Sequence, residues 1–551
     1  MRRPVLVLSL LLAPHAGCDS SNPSFWQPKN DLLPMVALDD RIAYVEKNSH
    51  TAYLLDPADA SFKPQVVTVG KAPVAAVKHN GSNQMLVVSQ GEAGSASVKR
   101  IKPQLQIADA IPNPNAAPVP LDGRFDGLAQ SADGRFVILY HASSAPDASD
   151  TGLYNPNEMT IVEFAPPAYS TILKHTLKSI RSLGGVPARI EFSPSYPFEA
   201  GARALAVVLS QNYVTILDLD HPDRTEISVP LCPQSTGCTY GPDQILFDPA
   251  NLNIYVRAGN ANDIFQITLT DLWPTLPSDG SNDFLASLSM LSVGANPASM
   301  ALYGSGKDTR LAVVAPAIKS LVIIDPSTSR ALNIATSVPT NVIVPFTSVD
   351  SAGTAKQRAM LVDTVNGGTS VLFADLGDVE TIGGLAIKDS PLRAPASDVR
   401  PLVDQGIAVL VLGKYTAISA FTVVEFGENP RFVEITASSV FDNPYFETRN
   451  PSRLWGAVAG TKLSYLNLVA RVGEDNLASN AIPLDQQITS IQALNTKSAD
   501  GIRHLVVDHS NPSDPNQIGN LTFLDADKPD RTTARTAYGF LLSNYLERGQ
   551  P

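Results

Sequence analysis

Three cysteines and eight histidines in 551 residues leave little material for metal or redox chemistry. No Cys-x-x-Cys is present, which excludes the common dithiol motif, and without Cys-x-x-Cys-His there is no site for covalent haem. A Gly-x-Ser-x-Gly nucleophile elbow is also missing. Gly304-Ser305-Gly306-Lys307 ends like a phosphate loop, but Asp308 stands where Ser or Thr is required, and the first glycine is absent. Lys and Arg number 41 against 53 Asp and Glu, with no basic cluster, so a nucleic-acid surface is excluded. No apolar run reaches the roughly 20 residues that a membrane helix needs. Amphipathic helical periodicity is scarce throughout.

The N-terminus carries the first positive signal. Arg2 and Arg3 precede the apolar run Val5 to Leu12, and Ala16 and Gly17 precede Cys18. A charged start, a short apolar stretch and small residues before a cleavage point make a secretory signal. The segment around Cys18 resembles the lipobox of bacterial lipoproteins, with His15 where that family usually has an aliphatic residue. The resemblance implies a diacylglycerol on Cys18, cleavage before it, and a cell-envelope location. The outer membrane or cell surface is favoured over the inner membrane, and a periplasm-facing placement stays open. Residues 1–17 are read as signal, 18–32 as lipidated cysteine and polar tether, 33–545 as the folded body and 546–551 as a tail.

Export favours a disulfide between Cys232 and Cys238, which flank a turn-rich segment with Pro233 and Gly237. The alternatives are a metal pair, which lacks two further ligands of suitable spacing, and a redox switch, which lacks the Cys-x-x-Cys arrangement. The twelve residues from Asp147 to Glu158 follow the spacing of a calcium loop, with Asp147, Ser149, Thr151 and Glu158 at ligand positions and Gly152 sixth. Only two of these are carboxylates and Pro156 interrupts the frame, so a solvated loop is favoured over a calcium site. No cofactor is expected. His504 and His509 flank a short strand and are expected on opposite faces.

The body reads as many short strands separated by Gly, Pro, Asn and Asp. Clear apolar runs include Ile42 to Val45, Met85 to Val88, Phe136 to Tyr140, Ala204 to Leu209, Ile254 to Val256, Leu311 to Val314, Ile407 to Leu412 and Leu505 to Val507. Three elements recur in order. A Gly and Pro lead-in (Val69-Gly70-Lys71-Ala72-Pro73; Val293-Gly294-Ala295-Asn296-Pro297) bends the chain between sheets. A strand then ends in a tight turn, as in Ile245-Leu246-Phe247-Asp248-Pro249. A later strand closes on aspartate (Leu55-Asp56, Leu217-Asp218, Ile324-Asp325, Leu524-Asp525), whose carboxylate can accept from following backbone amides. Lead-ins near positions 72, 125, 187, 242, 296, 341, 397, 451 and 488 are mostly about 54 residues apart, slightly long for one four-stranded blade.

These units resemble the YVTN-type β-propeller repeat family, best over residues 39–326. The resemblance implies an all-β propeller closed by strands from both chain ends, with Leu33 to Val36 and Tyr538 to Leu542 as the candidates. The lead-ins allow as many as ten units. Because propellers usually have about four to eight blades, seven or eight four-stranded blades are expected, with the surplus units read as insertions. Two successive smaller propellers, divided near Asn341, are the alternative. For function, the reading is a membrane-anchored scaffold or binding propeller for an envelope protein or glycan, with 142–158 and 274–282 as candidate recognition insertions. Some relatives of the repeat family are lactonases, so an extracytoplasmic hydrolase or lyase using the central channel is the alternative.

Overall fold

The structure is a computed structural model that describes residues 29–541, apart from 93–100, 109–117, 122, 143–154, 167, 182–186, 233–238, 275–280, 378–386, 413–419, 437–440, 448–452, 459, 469–480, 512–513 and 515–517. Its strands form ten antiparallel four-stranded sheets, each built from consecutive chain, plus one two-stranded hairpin (Tyr196–Phe198 with Gly201–Arg203) inserted in the fourth sheet. In the first sheet, for example, Val36–Ala37, Ile42–Glu46, Thr51–Leu55 and Gln65–Thr68 pair in order. The first strands of neighbouring sheets lie against one another, as between blades one and two and between six and seven. Fourth strands such as Arg330–Ala335 alternate exposed and half-buried residues. First strands therefore line the axis, and fourth strands face outward.

Ten apolar clusters lie between successive blades and close the circle. Leu38, Val45 and Leu54 of blade one meet Met85 and Val87 of blade two. The series runs on, without a break at Asn341, where Ile323 of blade six packs with Ile343 and Leu361 of blade seven. In the last gap Tyr44, Tyr53 and Phe62 of blade one pack against Phe523 and Phe540 of blade ten. Phe62 and Phe523 stack there, with ring centroids 5.1 Å apart. The body is thus a single ring of ten blades, which corrects the expectation of seven or eight and removes the division into two propellers. Every repeat unit supplies its own four strands and two packing faces, so none is an insertion. The expectation of a shared closing blade is also corrected. First and last sheets stay separate, and closure comes from packing plus bonds such as Asn30 N to Leu541 O at 2.7 Å and Gln492 Nε2 to Met35 O at 3.4 Å.

Burial on both sides explains the sequence pattern. The eight apolar runs named above all fall in second strands, which are sandwiched between neighbouring blades and so lose the alternation of a half-exposed strand. The lead-ins are the links from one blade's fourth strand to the next blade's first; Gly294 there has φ +87°, where a Cβ would be strained. The closing aspartates cap the turn after the third strand. Asp56 Oδ1 accepts from Ala58 N at 2.8 Å, Asp218 from Asp220 N at 3.0 Å, Asp325 from Ser327 N at 2.9 Å and Asp525 from Asp527 N at 2.8 Å.

A second device locks the same end of the ring. An arginine just before or within the second strand reaches the adjacent blade's turn and, for Arg135, Arg203 and Arg358, an acidic residue at the end of its own third strand. Arg135 holds Glu163 at 2.9 Å in its own blade and Asp220 of blade four at 2.7 Å. Arg203 lies 3.6 Å from Asp218 and 2.9 Å from Asp283 of blade five. Arg358 pairs with Asp375 at 2.5 Å and donates to the Gly427 and Glu428 carbonyls of blade eight at 2.8 and 2.7 Å. Arg453 donates to the carbonyls of Ala526 and Asp527 in blade ten. Burial works to raise the Asp283 carboxyl, but the Arg224 and Arg203 guanidiniums outweigh it and hold it below its usual value.

Candidate functional site

An even number of strands per blade puts both ends of the described chain at the end opposite those turns. Call this the loop end. It carries the links between second and third strands and those between blades. Three of the former are long, 90–103 in blade two, 141–157 in blade three and 509–519 in blade ten; links of similar length, 272–283 in blade five and 468–481 in blade nine, join strands at the turn end. The insertion 274–282 joins a third to a fourth strand and therefore lies at the opposite, turn end. The two insertions singled out in the sequence do not share a face.

At the loop end, blades one and ten enclose a cavity of about 290 Å³. Its walls include Leu33, Met35, Phe540 and Leu541, and its polar floor is Asp508 with Tyr44 and Ser510. Asp508 ends the second strand of blade ten (His504–Asp508), and Tyr44 sits in the second strand of blade one. The Tyr44 hydroxyl donates to Asp508 Oδ2 across the seam at 3.1 Å, and the Ser510 hydroxyl donates to Oδ1. Burial pushes the Asp508 carboxyl up to about 6, against the pull of the Ser510, Tyr44 and Thr489 hydroxyls. Burial, reinforced by Asp508, holds the Tyr44 phenol well above its ordinary value. The Tyr44 and Phe540 rings lie 5.0 Å apart and tilted by 48°.

A second cavity, about 420 Å³, opens between blades five and six and is lined by Asp248, Asn251, Asn253, Tyr255, Lys307 and Thr309. Its amides are already engaged by the fold. Asn251 Nδ2 donates to Asp248 and to the Gly306 carbonyl, both at 2.8 Å, and Asn253 Oδ1 accepts from Thr268 at 2.8 Å. The phosphate-loop-like Gly304 to Lys307 is a turn between the first two strands of blade six. The seam cavity is the stronger candidate, because its carboxylate is met by hydroxyls and the Ser510 amide and, among the described residues, by no cation.

The axis offers less chemistry. First-strand charges are matched locally: Arg189 with Glu191, Arg400 with Asp398 at 2.9 Å, and Asp243 with Arg257 of the adjoining strand at 2.9 Å. Glutamines cross between first strands to bond a neighbour's backbone, as Gln130 Nε2 does to Lys78 O at 2.8 Å and Gln244 Nε2 to Met300 O at 2.9 Å. Among the described residues, no group of three His, Cys, Asp or Glu side chains is placed to hold a metal.

Of the residues marked in the sequence, Cys18, Cys238, Asp147, Ser149 and Thr151 lie outside the described residues. Cys232 is buried and disulfide-bonded. Glu158 opens the third strand of blade three, opposite Ser179. His504 bonds Asp500 at 3.0 Å, while His509 bonds Asp485 and Thr522, each at 2.9 Å. Asp508 and Tyr44 were missed. The polar triplet Asp508-His509-Ser510 directly after an apolar run was the available signal, but nothing local links it to a tyrosine 464 positions away.

No family model and no curated protein matches the chain. Solved structures similar to it include dihydro-heme d1 dehydrogenase NirN in complex with DHE, at 11% identity and TM-score 0.39, covering 82% of this chain and 76% of that one. A candidate 6-phosphogluconolactonase from Bacteroides fragilis is similar at 10% identity and TM-score 0.34, covering 65% and 96%. Apo AztD from Citrobacter koseri is similar at 12% identity and TM-score 0.30, covering 67% and 87%. These likenesses are too distant to bear on what this chain binds, and the fold rests on its own ten-sheet topology.

Proposed function

We propose that the chain is a non-catalytic binding propeller, held at the bacterial cell envelope by lipid on Cys18, that offers its loop end to a protein or glycan partner. The observation that carries this reading is the set of long links between second and third strands, 90–103, 141–157 and 509–519, which leave blades two, three and ten at the end where the chain enters blade one. Loops on a rigid frame are where recognition tends to sit. A tether from Cys18 to the first paired residue, Lys29, spans at most about 40 Å. A partner of the loop end would therefore be met close to the bilayer. Two or more acyl chains on Cys18 would make that anchoring stable. The locally matched charges along the axis support the non-catalytic part of the reading.

The test is pulldown from intact envelopes with the natural protein and with variants in which 93–100 or 143–154 is replaced by a short Gly-Ser link. The expected result is a partner lost with one of these replacements, together with release of Cys18→Ser from membranes. Recovery of no loop-dependent partner, or turnover of lactones by the purified protein, would overturn the proposal.

A further inference from the structure

We infer that the seam cavity is a binding site for a small organic cation, a primary or methylated ammonium on a short apolar body. The carboxylate at its floor is the first reason. Asp508 is met by the hydroxyls of Tyr44, Ser510 and Thr489 and by the Ser510 amide, and among the described residues no Lys or Arg lines the cavity. Lys29, on the approach to blade one, is committed to the Asp514 backbone carbonyl. His509, the next residue, is held by Asp485 and Thr522. A carboxylate facing a cavity without a positive partner carries an uncompensated desolvation cost, which a bound cation removes.

The walls and size narrow the class. The Tyr44 and Phe540 rings are almost fully buried and packed on each other, so the accessible wall is aliphatic, and Leu32, Leu33 and Met35 suit a short aliphatic body. An anion would face the Asp508 charge, and a neutral ligand would leave it uncompensated. About 290 Å³ lies at the small end of ligand sites. Because the walls come from both the first and the last blade, a bound cation also ties the ring shut, and ligation of the folded state raises its unfolding temperature.

The inference is independent of the partner-binding proposal, and its test needs no partner. Calorimetric titration of the full mature chain at moderate salt uses choline and n-butylammonium, with 1-butanol and butyrate as neutral and anionic matches. Expected is binding of at least one cation about tenfold or more tighter than of butanol, with a rise in unfolding temperature and no response to butyrate. Lowering the pH from about 7.5 to about 5 protonates Asp508 and should weaken cation binding about tenfold. Asp508→Asn should lose the preference for the cation, while Ser510→Ala, which keeps the carboxylate, should retain it. Cations binding no better than butanol, or equally well to Asp508→Asn, would overturn the inference. Should Asp508→Asn fail to fold, the pH comparison on the natural chain decides: unchanged affinity at the lower pH overturns the inference equally.

Discussion

The two ends of the ring solve opposite problems. At the turn end, Arg135, Arg203, Arg358 and Arg453 each reach from one blade into the next, so turns that would otherwise be loose become joints. At the loop end around the seam, long links and a buried carboxylate replace such joints. The comparison teaches that the arginine bonds from one blade into the next blade's turn concentrate at one end of the ring, and the recognition proposed above uses the other.

The largest expected break is at the turn end. Replacing Arg203 and Arg224 together by Ala leaves the Asp283 carboxylate without a cation and should cost about 3–5 kcal/mol, read as a lowered urea midpoint. At the loop end the sign reverses. The folded Asp508 carboxyl titrates near 6 against about 3.9 in an unfolded chain, so the folded state binds the proton more tightly. That contribution favours folding at low pH and is lost as pH rises through about 6, so the charged group opposes folding at neutral pH by up to about 3 kcal/mol. Asp508→Asn should therefore gain stability relative to the natural chain as pH rises from about 4 to 7, and a constant difference across that range would contradict the assignment.

Smaller effects complete the comparison. Arg400→Ala breaks an exposed same-strand pair with Asp398 and should cost no more than about 1 kcal/mol, checked by the same urea titration. Replacing 143–154 with a short link should leave the unfolding free energy within about 0.5 kcal/mol, because the four strands of blade three and the clusters that pack them lie outside that segment. A large loss there would show that the loop end also carries structure.

Much of this ring is legible in the sequence, and the physical reason is burial. Second strands such as Leu311 to Val314 are covered on both faces and so print continuous apolar runs, and the aspartates at 56, 218, 325 and 525 mark turns through bonds to their own following amides. The lead-ins also mark ten units, most of them within a few residues of a first strand. The eighth position, 451, misses its strand, Phe441–Glu447. Reducing ten units to seven or eight was an error of expectation about ring size. The arginine joints were readable and overlooked: Arg135, Arg203 and Arg453 each stand at or just before the head of an apolar second strand. The seam cavity was not readable, because Tyr44 and Asp508 meet only when the ring closes.

Closure of ten blades in one ring is therefore the claim on which the rest depends. A cryo-electron-microscopy reconstruction of the purified protein, viewed along its axis at a resolution that separates sheets, tests it most directly. The account predicts ten radial sheets in an unbroken circle, with the chain's first and last blades side by side. Seven or eight sheets, two smaller rings, or a gap between the first and last blades would contradict it.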